Sequence, residues 1–313
     1  MELLFAHARS LKTNLCRDLN NLSKRVFLNV PELFWPLPSE VNCFGCVGDV
    51  PAFQRHNPYI LTGYRKFRTT GACVRGIFSW HNETVNIWSN LLTLGLLAAL
   101  LLEDHNSRYQ ELKIPFWDRC LSSLLAVCYG VMLALSTFYH LFSCTSAPVA
   151  RYWYLWDIFG ICLSVFAYVA GFTVLQFWPH PVWMAAYLVA EACIASVPFY
   201  LALATRLGSE EYDALRIRSI GVLVLFSLVP MTHSALLNHP ALVAATLPGH
   251  ATVFAVLVVS FIVFSTRIPE VKYPGAADIL GSSHQFWHLG ISVSVLAAHE
   301  LYFAYLPHRD VSG

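Results

Sequence analysis

From residue 84 onward the chain carries seven apolar stretches, each long enough to cross a bilayer, which takes about 20 helical residues. They fall near 84–102, 118–142, 152–177, 181–204, 217–237, 244–266 and 283–305. Nothing else in the chain restricts its fold as strongly. Backbone surrounded by lipid must satisfy its own N–H and C=O groups, so the stretches are expected to be helices. The expected fold class is therefore all-α, an integral membrane bundle of seven transmembrane helices. The charge distribution agrees. Of 39 charged residues, 16 lie in residues 1–83, which leaves 23 for the other 230. Only 12% of the chain is charged, against about 25% in a soluble domain. That balance excludes a disordered chain, a coiled coil and a soluble enzyme, and no nucleic-acid partner is expected.

Loops rich in Lys and Arg stay in the cytosol, so orientation can be counted. Ten such residues precede the first span. Arg151, Arg206, Arg216, Arg218, Arg267 and Lys272 fall on the same side, and Arg108, Lys113, Arg119 and Arg309 on the other, a division of 16 against 4. The internal loops alone divide six against three. The N-terminus is expected in the cytosol and the C-terminus outside or in a lumen, the reverse of a G-protein-coupled receptor.

Residues 1–56 are expected to form a cytosolic basic arm and linker, 57–305 the seven-helix domain, and 306–313 a short tail. Over 1–27, Leu4, Ala8, Leu11, Leu15, Leu19, Leu22 and Val26 recur at steps of three or four. Arg9, Lys12, Arg17, Lys24 and Arg25 occupy the other faces. Such a basic amphipathic helix lies on an acidic membrane, offers its stripe to a partner, or packs on the rest of the arm. The Leu3–Ala6 run is too short for a cleavable signal peptide. Pro31 and Pro36-Leu37-Pro38 make 31–56 irregular. Nine cysteines form no disulfide framework, because only Cys120 falls near the outer face. Cys43-Phe44-Gly45-Cys46 has half the spacing of a zinc ribbon, and without a second pair two ordinary thiols are expected. The sequons at Asn21 and Asn82 lie on the cytosolic side and are expected to stay unmodified.

Ionisable groups within spans are costly and point to function. His140 lies near the inner end of the second span, Asp157 near the start of the third, and His284 and His288 near the start of the seventh. All four share one depth in the cytosolic leaflet. His284 and His288, four residues apart, lie on one helix face, and Ser136 precedes His140 by one turn. This pattern fits either packed imidazoles or a metal site. Three His ligands with an open fourth position form a catalytic zinc arrangement, which leaves the carboxylate to hold water or act as base. His299, about 22 Å along the helix from His284, cannot join that site and reads with Glu300 as an outer polar cap. Glu191 either pairs with another helix or lines a cavity, and Pro230 and His233 suggest a kink with a polar contact.

Several motifs resemble the progestin and adipoQ receptor family. Asn57-Pro58-Tyr59-Ile60, Gly63-Tyr64-Arg65 and Asn82-Glu83-Thr84-Val85-Asn86-Ile87-Trp88-Ser89 resemble its entry to the first span. Phe138-Tyr139-His140-Leu141-Phe142-Ser143-Cys144 resembles its second-span motif. Ile268-Pro269-Glu270, Pro274-Gly275 and Ser283-His284-Gln285-Phe286-Trp287-His288 resemble the last. The matches run in order over 57–305. The Tyr139–Cys144 and Leu280–Gln285 runs are most similar to a Golgi-anchored, Raf kinase-trapping branch. The resemblance implies a seven-helix receptor with a cytosolic N-terminus and Zn2+ held by His140, His284 and His288. It also implies that Asp157 holds the water at the metal, with Ser136 beside it, and that both serve catalysis. Two functions are implied. One is a membrane signalling receptor with ceramidase-like amidohydrolase chemistry on ceramide or a related fatty-acid lipid. The other is a non-enzymatic Golgi tether whose arm sequesters a cytosolic Raf-type kinase and dampens MAP kinase signalling. Golgi membrane and plasma membrane both remain open as the location.

Overall fold

The computed structural model describes residues 44–203 and 210–307. The amphipathic segment expected over 1–27, Cys43, Arg206 and Arg309 lie outside the described residues. Helix α1 spans Thr70–Gly76, and Thr69 caps it by accepting the Ala72 N–H at 3.3 Å. Helix α2, Thr84–Glu103, continues through a π-helical turn at Asp104–Arg108 to Glu111. The others are α3 Phe116–Phe142, α4 Ala147–Gln176, α5 Pro181–Leu203, α6 Glu210–Phe226, α7 Leu228–Leu237, α8 Pro240–Thr266 and α9 Ser283–Tyr305. Pro181 and Pro240 open α5 and α8, where a helix tolerates a missing N–H, while Pro198 and Pro248 lie inside those same helices. Pro230, by contrast, lies just past the break between α6 and α7, and so marks the expected kink.

Among the described residues six helical segments, 23 to 30 residues long, are long and apolar enough to cross a membrane, α6 and α7 counting as one. The chain is an integral, multi-pass membrane protein. Helix α9 is long enough at 23 residues, about 34 Å, but is more polar than those six. Its position explains the difference. It packs on α2, α3, α4 and α8, and 13 of its residues are buried, whereas α8 buries five of 27. A helix facing lipid must be apolar all along that face, while an internal helix can place polar groups against its neighbours. Consecutive helices α2 to α6 pack side by side, and α9 closes the bundle by lying between α8 and α2. Gly290 permits the α8–α9 approach, because a Cβ there would collide with Ser260, and one at Gly249 would lie 2.7 Å from Leu301.

One end of the bundle is covered by a cap built from residues 44–83 and the loop 267–282. Strands β1, Phe44–Gly45, and β2, Tyr64–Arg65, pair antiparallel with Phe44 opposite Arg65. Two buried carboxylates join the halves. Glu270 accepts from Asn57 Nδ2 (3.0 Å) and from the N–H of Ser283 (2.9 Å). Asp278 accepts from the N–H groups of Leu61 (2.9 Å) and Thr62 (2.7 Å). The expectation of ordinary thiols fails at Cys46, which is disulfide-bonded. Strand pairing beside it and its N–H donated to Asp49 (2.9 Å) fix its backbone for that bond.

Candidate metal centre

The C-terminal end of α3 and the N-terminal end of α9 meet under this cap, and each is finished by a distant side chain. Arg65 donates to the carbonyls of His140 and Leu141, satisfying acceptors that the last turn of α3 leaves over. Glu270 takes the Ser283 N–H at the first turn of α9. A cation at a helix C-terminus and an anion at an N-terminus both complement the helix dipole. Two helix ends are thus clamped in one place, and each presents imidazoles to the other.

Those imidazoles converge. His288 Nε2 lies 2.9 Å from His140 Nε2 and 3.3 Å from His284 Nε2, and His284 and His140 are separated by 3.4 Å. Four nitrogens at 2.0–2.1 Å around a tetrahedral zinc would lie about 3.3–3.4 Å apart. The outer nitrogens settle the tautomers. His140 Nδ1 donates to Glu83 Oε2 at 2.7 Å, and His288 Nδ1 to Asn90 Oδ1 at 3.2 Å. With the protons held outside, the Nε2 lone pairs face inward, where a cation satisfies them together. His140 and His288 are buried and His284 is half-buried. The triad can hold a metal ion.

Glu83, Asn86 and Asn90 supply this outer layer, and Asn86 donates to Glu83 at 2.6 Å. Burial acts to raise the Glu83 carboxyl, but the His140 imidazole beside it and the hydrogen bond that it donates outweigh burial. Arg65 adds to them, and the group is held well below the usual carboxylate range. None of the three was among the candidate site residues, although spacings of three and four from 83 through 86 to 90 place them on one face. Asp157, on α4, is a neighbour of Ser136 and of His140.

The other polar groups lie elsewhere. His299 bridges Asp104 (2.8 Å) and Glu300 (3.1 Å), and Arg108 grips Glu300 through two bonds, which makes the expected polar cap at the far end. Glu191 pairs with Thr173 of α4 at 2.6 Å, and His233 with Tyr187 at 2.9 Å.

A membrane bundle with a histidine triad between its second and last long helices defines a class, and comparison with known proteins agrees. The family model described as haemolysin-III related matches residues 78–299. The chain belongs to that family and, within it, to the progestin and adipoQ receptors. It is 28% identical over 263 residues to human progestin and adipoQ receptor family member 3, covering 82% of this chain and 84% of that protein. It is 24% identical over 285 residues to heptahelical transmembrane protein 1 of Arabidopsis thaliana (85% and 82%). It is also 24% identical over 250 residues to the adiponectin receptor protein of Drosophila melanogaster (77% and 54%).

Proposed function

We propose that this receptor-family protein holds zinc through His140, His284 and His288 and hydrolyses a lipid amide such as ceramide. The N-terminus lies in the cytosol and the C-terminus outside or in a lumen. The observation that carries the reading is the convergence of three Nε2 atoms, with two of the three separations at the tetrahedral zinc value and two outer nitrogens donating to Glu83 and Asn90. Neutral imidazoles suit zinc, and three of them leave a coordination position open, as catalytic sites do. Zinc, when bound, would supply Lewis acidity, polarising a carbonyl and lowering the pKa of water to about 7.

The chain's residues do the rest. Glu83 and Asn90 orient two imidazoles and hold their outer protons. Asp157 takes the proton from the attacking water and returns it to the leaving amine, and Ser136 beside it orients that carboxylate. The decisive experiment measures metal content and ceramide turnover in the same purified samples, wild type beside His284→Ala and Asp157→Ala. One zinc per chain, lost in His284→Ala, and turnover lost in both variants is the expected result. Normal turnover by Asp157→Ala would remove the mechanism. No metal in well-folded wild type would remove the site.

The similarity to member 3 over most of the chain favours a second reading. In it zinc staples α3 to α9, and the arm tethers a Raf-type kinase at a Golgi membrane. Deleting residues 1–27 should then abolish kinase binding and leave metal content unchanged. Binding that survives the deletion would refute it.

A further inference from the structure

Cys73, on α1 in the cap, and Cys144, two residues beyond α3, bring their Sγ atoms to 3.6 Å across 71 residues of chain. Both are buried in a small apolar cluster with Phe67, Ile87 and Leu141. Among the described residues the other free cysteines, Cys120, Cys128, Cys162 and Cys193, make no such contact. A disulfide is about 2.05 Å long, so the two sulfurs need to close by roughly 1.5 Å.

The surroundings differ from those of an inert pair of core thiols. The Arg65 guanidinium, 2% exposed, is spent on carbonyls rather than on a carboxylate, and its Nε has no partner. The hydrogen bond between the two thiols pulls the Cys144 thiol down, with Arg65 helping and burial opposing. A thiolate is the reactive form of cysteine, and a nearby cation favours it.

We propose that Cys73 and Cys144 form a reversible oxidation site, in which a peroxide converts the dithiol to a disulfide tying the cap helix to the end of α3, four residues from His140. The Cys144 thiolate attacks one peroxide oxygen. The O–O bond breaks, hydroxide leaves and takes up the proton lost from Cys144, and Cys144 becomes a sulfenic acid. The Cys73 sulfur then attacks the Cys144 sulfur, its proton joins the departing hydroxyl, and a second water leaves. Two thiols lose two electrons and two protons, and the peroxide is reduced to two waters. The site stands whether or not the triad binds zinc.

The test uses purified full-length protein in detergent, treated with hydrogen peroxide, alkylated, denatured and digested for mass spectrometry. A Cys73–Cys144 cross-linked peptide is expected, forming at doses that leave Cys162 reduced and disappearing with dithiothreitol. In Cys73→Ser, Cys144 should instead accumulate as a sulfenic acid trapped by dimedone. The wild-type measurement decides the matter even where the variant fails to fold. If both cysteines stay alkylatable while exposed Cys120 is oxidised, the proposal is overturned.

Discussion

Removing the carboxylate behind His140 should weaken the metal site without dismantling the bundle. Glu83 precedes the first turn of α2 with its side chain 26% exposed, and it contributes a single 2.7 Å bond to His140 Nδ1. Apart from the bond that it accepts from Asn86 Nδ2, contacts that hold the turn, such as Thr84 Oγ1 donating to the Ser79 carbonyl at 2.9 Å, do not involve its side chain. Outer partners of metal-bound imidazoles are worth about 10–100-fold in affinity. Glu83→Gln keeps an acceptor but removes the charge, which sets it near tenfold, about 1.4 kcal/mol. Glu83→Ala leaves the Nδ1–H of a buried imidazole without an acceptor and frees its tautomer, which sets it near 100-fold, about 2.7 kcal/mol. Zinc titration of stripped protein against a fluorescent chelator measures both, with circular dichroism as the control for folding. A folded Glu83→Ala protein that binds zinc as tightly as wild type would refute the role given to this carboxylate.

Three further outcomes follow from packing and topology. Gly290→Ala should lower stability by about 1–3 kcal/mol through the clash with Ser260, and adding Ser260→Gly should restore most of the melting temperature. Glu270→Ala strands Asn57 Nδ2 and the Ser283 N–H, so denaturation should show a loss of at least about 2 kcal/mol, with weaker zinc binding because α9 starts at that residue. On the proposed orientation, Asn82 should carry no glycan in microsomes, while a sequon engineered near Lys113 should be modified. The opposite pattern would invert the orientation.

Much of this architecture was legible because lipid imposes a simple rule on the residues it touches. Helix α8 buries only Leu242, Thr246, His250, Val253 and Ser260, and the faces left to lipid read as apolar apart from Thr252 and the last two residues. The triad was legible by depth, since residues at matching heights on neighbouring helices can meet. Depth says nothing of which helices are neighbours, however. Arg65 reaching the end of α3, and Glu270 reaching Asn57 across 213 residues, depend on loops whose path no periodicity encodes. Glu83, Asn86 and Asn90 escaped for another reason. Charge inside spans was the guide, whereas Glu83 stands one residue before its helix and the asparagines carry no charge.

The burial of α9 also bears on how such a protein is made. A segment holding His284, Gln285, His288, His299 and Glu300 has little reason to leave a translocation channel for lipid by itself, since each such group is costly in hydrocarbon. Its polar side chains find their partners on elements synthesised earlier: His140 on α3, Asn90 on α2, Asp104 in the turn beyond α2. The last helix therefore enters a membrane that already contains its solvent, in the form of the rest of the bundle. A reporter fused after residue 305 should cross efficiently behind the intact chain and poorly behind 283–305 alone. Efficient crossing by the isolated segment would contradict this order of assembly.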